Sequence, residues 1–190
     1  MEAAMRRYAE LGVHTLKTGY AGGFKGGYLH HSQYGVQHYQ RVVETAAKYR
    51  IMLDVHKPIK ETGIRRTWPN MMSREGARGK EWDAWSAGNP PSHEVTLPFT
   101  RLLAGPMDFT PGSMFSAQPE DNCSTGANPM GTGTRAYQMA LYVGFESPLQ
   151  MLADNPVLYR REHPCTEFLA AVPTTWDSLR VLRAACGREV

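Results

Sequence analysis

QYGVQHYQRVVETAAKYRIMLDVH, residues 33–56, changes its apolar period halfway along. Val36, Tyr39, Val43, Ala46 and Ala47 recur at helical spacing, so 33–49 reads as a helix with one apolar face. Ile51 to Val55 then reads as a compact apolar strand, and His56 follows it directly. The alternation extends outward. Residues 2–11 read as a short helix and Val13 to Thr18 as a strand after the Gly12 break. Met71 and Met72 fall on a third strand, Leu97–Leu103 on a helix and Gly105–Phe109 on a fourth strand. Beyond a glycine-rich stretch, 112–133, come a helix at 134–144, a fifth strand at Pro148–Leu152 and a helix at 164–171. Strands alternating with helices predict an α/β fold with parallel pairing.

Five such strands suit an open doubly wound sheet or part of a (β/α)8 barrel. The polar residues favour the barrel. Lys17, His56, Glu75, Asp108 and Asp154 all collect at or just after the C-terminal ends of expected strands, and strand C-termini are the active face of a barrel. No GxGxxG or GxxxxGK[ST] follows the first strand, which weakens nucleotide-binding readings. A complete barrel takes about 250 residues, and the chain has 190. The expectation is therefore a partial TIM barrel, about five C-terminal βα units with the first strands missing, over residues 1–190.

Composition narrows the function. The net charge is +3, too small for a nucleic-acid surface. No apolar run approaches 18 residues, so no membrane helix is expected, and the N-terminus lacks the apolar core of a signal peptide. Cys123, Cys165 and Cys186 are far apart, with no zinc spacing and no disulfide framework.

The densest chemistry lies in HKPIKETGIRRTWPNMMSREGARGKEWDAW, residues 56–85. It holds Glu61, Glu75, Glu81 and Asp83 among Trp68, Trp82 and Trp85. Carboxylates beside aromatic rings suit sugar chemistry, in which one acid protonates a leaving oxygen and ring faces pack on pyranoses. A charged, solvated loop accounts for the same residues. Glu75 and Glu81, six residues apart, could aim two carboxylates at one hard cation, though in no EF-hand spacing. His56 gains weight from its strand-end position, while His38, inside a helix, reads as packed or solvated. Asp108 suits either substrate binding or a turn cap, and Asp154 a helix cap. Met71, Met72, Met107 and Met151 read as core.

Several segments together resemble glycoside hydrolase family 97: GVHTLKTGY (12–20), residues 33–58, TGIRRTWPNMMSREGARGKEWDAW (62–85), LPFTRLLAGPMDFTPG (97–112) and YQMALYVGFESPLQMLADNP (137–156). VPTTWDSLRVL (172–182) resembles the segment that closes the family's barrel. The resemblance implies a (β/α)8 catalytic barrel, α-glucosidase or α-galactosidase activity and a bound calcium ion. It places Glu81 on the general acid, Glu75 and Glu81 on calcium, and Lys17 and His56 on sugar contacts.

Retaining members of the family carry an Asp nucleophile where this chain has Gly19. The resemblance is therefore to the inverting, α-glucosidase-like branch, releasing glucose from α-glucans or maltooligosaccharides. An α-galactosidase of the same family is the alternative. The inverting branch reads His-Glu-Pro where this chain reads His56-Lys57-Pro58. A lysine there neither accepts a proton from water nor attracts calcium. A non-catalytic carbohydrate-binding remnant is thus a further reading, and the isolated chain is expected to be weakly active or inactive. The partner expected is an α-linked oligosaccharide, with neither nucleic acid nor membrane. The parent protein is expected in the periplasm or outside the cell.

Overall fold

The computed structural model describes residues 1–19, 23–56, 58–123, 126 and 130–190. Two compact units divide the chain, Met1–Gly76 and Ala77–Val190.

The first unit begins with α1 (Glu2–Glu10) and β1 (Thr15–Thr18). After them come α2 (Gln33–Lys48), β2 (Met52–Val55), the short α3 (Ile64–Thr67) and β3 (Met71–Arg74). Ser32 caps α2, its Oγ accepting from the Gly35 N–H at 3.3 Å. Gly35 has to be glycine, because a Cβ there would lie 2.1 Å from the His30 carbonyl oxygen. The strands form a parallel sheet in the order β1-β2-β3, as the alternation predicts. One face is apolar. Leu53, Val55 and Met71 pack there with Met5 of α1 and Tyr39, Val43 and Ala46 of α2. Each strand spends alternate residues on that face, so Lys17, Asp54 and Ser73 fall on the other.

The second unit is mostly irregular. A 3₁₀ turn spans Lys80–Ala84, followed by α4 (Pro91–Glu94), β4 (Ser116–Ala117) and β5 (Gly131–Thr132). The chain then runs through α5 (Arg135–Gly144), α6 (Pro156–Arg161) and α7 (His163–Ala171). Strands β4 and β5 pair in parallel inside the stretch expected to be loop. Leu97, Met107, Phe109, Leu141 and Phe145 form its apolar cluster.

Three of the five expected barrel strands therefore form, and two do not. At Gly105–Phe109 two backbone bonds reach other segments, Met107 N–H donating to the Glu146 carbonyl at 3.0 Å and the Phe109 carbonyl accepting from Lys80 N–H at 3.0 Å, and no named strand forms. Pro106 has no N–H, and the chain turns at Thr110, which sits at φ +58°. Pro148–Leu152 is held by side chains instead. The Gln150 amide donates to the Tyr142 carbonyl, and the Tyr142 hydroxyl lies 2.8 Å from the Met151 carbonyl. The expected helix at 97–103 is two 3₁₀ turns, Leu97–Phe99 and Arg101–Ala104, broken at Thr100 (φ −128°, ψ −80°). Residues 172–182 form neither helix nor strand. No described helix is long and apolar enough to cross a membrane.

Candidate active site

The polar face of the first unit is assembled by backbone pairing. Lys17 is in register with Asp54, and Asp54 with Ser73. The ladder continues one residue beyond each strand. His56 N–H donates to the Thr18 carbonyl at 2.7 Å, and Glu75 N–H to the Val55 carbonyl at 3.0 Å. His56 and Glu75 thus become neighbours, with imidazole Nδ1 3.5 Å from the Glu75 carboxylate. The other imidazole nitrogen lies 4.0 Å from Asp54. Asp54 is fully buried and accepts from the Ser73 hydroxyl at 3.2 Å.

A bulge in β3 decides which residue meets His56. Leu53 pairs with Met71, but Asp54 pairs with Ser73, leaving Met72 as the extra residue. In an unbroken register Val55 would pair with Ser73 and His56 would face Arg74. The bulge replaces that cation with a carboxylate. It also returns Ser73 and Glu75 to the face that carries Asp54 and His56. Arg74 turns the other way, where it donates to the Ile59 carbonyl at 3.0 Å and pairs with Glu61.

Gly19 stands beside this group. A Cβ built on it would lie 3.4 Å from the His56 Cβ, an ordinary contact, so position 19 has room for a Cβ beside His56. Lys57 lies outside the described residues.

Glu81 belongs to the second unit, on the Lys80–Ala84 turn. That turn is held from beneath by a buried ion cluster. Lys80 is 0% exposed, and its Nζ lies 2.8 Å from Asp83 and 3.0 Å from Glu94. Asp83 accepts from the Asn89 N–H at 2.7 Å. The Asn89 amide donates to the Gly79 carbonyl at 2.8 Å and accepts from Arg78 Nε at 2.7 Å. Burial raises Glu94 above the ordinary carboxylate range, against the pull of Lys80. The Glu81 carboxylate folds back over Gly79, where a Cβ would come within 2.9 Å of Oε2.

The other candidates take structural roles. Asp108 is buried and closes a turn, accepting from the Thr110 N–H and hydroxyl at 3.2 Å each. Asp154 does not cap the helix that follows it; Asn155 does, accepting from Val157 and Leu158 N–H. Asp154 instead accepts from Met114 N–H at 2.5 Å and Phe115 N–H at 3.0 Å. His38 packs edge-on to Phe24, ring centroids 5.0 Å apart, and burial lowers its pKa. The sequence reading passed over Asp54, counted within an apolar strand. An acid inside IMLDV was the available signal, because a buried carboxylate in a strand needs partners. It also passed over Lys80 and Glu94, which carry no spacing motif.

The carboxylates of Glu75 and Glu81 are hard oxygen donors and fit calcium in kind. The imidazole of His56 is a poor ligand for it. Either carboxylate leaves most of a shell of about six to eight oxygens to other groups.

The sheet and its polar edge define an α/β protein with acids, a lysine and a histidine at strand C-termini. Residues 1–77 match the family model of glycoside hydrolase 97. The whole chain is 38% identical to the retaining alpha-galactosidase of Bacteroides thetaiotaomicron, of which it covers 28%. It is 33% identical, over 83% of its length, to a probable retaining alpha-galactosidase of Streptomyces bingchenggensis, covering 23% of that protein. A glycoside hydrolase family 97 enzyme from Pseudoalteromonas sp. strain K8, solved in complex with panose, superposes with TM-score 0.81 at 41% identity. That match covers 98% of this chain and 30% of the enzyme. The chain belongs to glycoside hydrolase family 97 and spans less than a third of the length of these relatives.

Proposed function

We propose that this chain is part of the catalytic barrel of an inverting α-glycosidase acting on α-linked gluco-oligosaccharides. The observation that carries the reading is the β1–β3 polar edge, where Lys17, Gly19, His56 and Glu75 collect on one face. In this reading that face is barrel interior, and β1–β3 are consecutive strands of a (β/α)8 barrel. Glu81 protonates the leaving oxygen. Lys17 and His56 contact the sugar. Glu75 and Glu81 hold calcium, which when bound supplies positive charge that orients sugar hydroxyls. Gly19 offers no carboxylate to attack the anomeric carbon, so water attacks and the configuration inverts. The panose bound by the Pseudoalteromonas enzyme supports a glucose-containing substrate. The parent protein is exported, and the 190-residue chain alone turns over little or nothing.

A second reading, a retaining α-galactosidase, is favoured by the names of the two relatives at 38% and 33% identity. One experiment separates the two. The chain's sequence is grafted into a full-length family 97 enzyme and given 4-nitrophenyl α-glucoside and α-galactoside, with the first-formed anomer followed by ¹H NMR. Release of β-glucose supports the first reading. Release of α-galactose replaces it with the second. A third reading, a carbohydrate-binding remnant, rests on Lys57. It predicts maltooligosaccharide binding without turnover; Lys57→Glu in a full-length context should raise calcium affinity and activity, and no change in either would show that position 57 does not face the site.

A further inference from the structure

Trp82 and Trp85 lie on or beside the turn that carries Glu81, and both are open to solvent, 41% and 57% exposed. Their ring centroids are 6.1 Å apart and the planes are tilted by 54°. Tryptophan is a highly buried residue on average, so two exposed ones within four positions leave a concentrated apolar surface in water.

This surface is rigid. The Arg78 guanidinium lies 6.0 Å from the centre of the Trp82 ring, in cation–π contact. Arg78 is itself fixed, its Nε donating to Asn89 at 2.7 Å and Nη2 to the Gly88 carbonyl at 2.9 Å. The backbone is pinned as well. Ser86 Oγ donates to the Trp82 carbonyl at 2.5 Å, and Trp85 N–H to the same carbonyl at 3.3 Å. The Lys80–Asp83–Glu94 cluster anchors the turn from its buried side. An aromatic ring held in place before its ligand arrives loses little freedom on binding.

We propose that Trp82 and Trp85 form a sugar-stacking surface for a glucose ring, on and beside the 3₁₀ turn that carries Glu81. A pyranose ring presents C–H groups on its faces and hydroxyls around its edge. It therefore covers an indole face while its hydroxyls stay solvated. The inference rests on the glycosidase reading above.

The test titrates the 190-residue chain with panose, read by tryptophan fluorescence and by saturation transfer to the sugar's C–H protons. Saturable binding is expected, weakened about tenfold or more by Trp82→Ala, equivalent to about 1.4 kcal/mol. Trp82→Phe restores most of the affinity, because the aromatic face is what binds. Circular dichroism checks that the alanine variant is folded. Unchanged panose affinity in Trp82→Ala, with affinity lost in Lys17→Ala, overturns this inference and leaves the glycosidase reading standing. No panose binding by the unaltered chain counts against both. Concentration-dependent self-association through these tryptophans, unaffected by panose, assigns the surface to a second copy of the chain and overturns the proposal.

Discussion

In residues 1–76, His56 and Glu75 are placed by backbone N–H groups that extend a parallel ladder. In residues 77–190, Glu81 rides a 3₁₀ turn held by side chains: Lys80, Asp83, Asn89 and Glu94. The difference matters for robustness. A ladder depends on strand register, which the apolar face of the sheet enforces. A side-chain network depends on each member, and one deletion strands the others in a buried place.

The comparison breaks hardest at Lys80. Lys80→Met removes the cation between two buried acids, and the second unit should lose about 3–5 kcal/mol. Urea denaturation of a Trp68→Phe, Trp176→Phe background, followed by the fluorescence of the remaining Trp82 and Trp85, reads this. A loss below about 1 kcal/mol would show that the network does not hold the turn.

Leu53→Ala is the counterpart in the sheet. Leu53 is fully buried between α2 and β3, so truncation should cost about 2–5 kcal/mol. Hydrogen exchange should then rise across β1–β3 as one unit. Exchange confined to β2 would argue against a shared ladder.

Gly79→Ala sharpens the comparison without unfolding either unit. The new methyl meets the Glu81 carboxylate at 2.9 Å and the Phe109 carbonyl oxygen at an ordinary 3.4 Å, so stability should change by about 1 kcal/mol or less. The displaced carboxylate should lower kcat in the grafted enzyme about a hundredfold. Unchanged turnover would remove Glu81 as the acid.

The smallest effect is a pH dependence of opposite sign in the two units. Burial alone would raise Glu61, but Arg74, the Gly63 N–H and Arg65 outweigh it and hold the carboxyl below its ordinary value. Its folded pKa is depressed. Its stabilisation is therefore full above the unfolded value and lost as pH falls through the folded one. His38, lowered by burial, acts in the same direction at somewhat higher pH. Glu94 and Asp154 of the second unit are raised by burial. Their contribution is present at low pH and lost as pH rises through the folded values. Acidification from pH 7 toward 4 should therefore loosen residues 1–76 more than 77–190. Hydrogen exchange by peptide, corrected for intrinsic rates, should show it, and Glu61→Gln should flatten the lower part of the first unit's curve.

Legibility in the sequence follows the same division. Helix α2 and strand β2 announce themselves by period, and the strand-end positions of Lys17, His56 and Glu75 come with them. The Met72 bulge does not, because one extra residue in MMSR leaves no trace in an apolar pattern. The segments at 105–109 and 148–152 read as strands because they are short and apolar. Their prolines decide otherwise, since the missing N–H groups pass the work to the Tyr142 hydroxyl, the Gln150 amide and the Thr110 turn. The Lys80 cluster is illegible in the sequence for a related reason. Composition cannot tell a solvated lysine from one whose two partners arrive three and fourteen residues later.

Gly19 has an evolutionary consequence. Its backbone lies outside the positive-φ region reserved for glycine, and the space at its Cβ is limited only by ordinary contact with His56. Aspartate is one nucleotide change from glycine in the genetic code. This strand end can therefore acquire a carboxylate beside His56 in one mutational step, with no change of loop length or register. On the inverting reading proposed above, that step would carry a lineage from one stereochemical outcome to the other without dismantling the sheet.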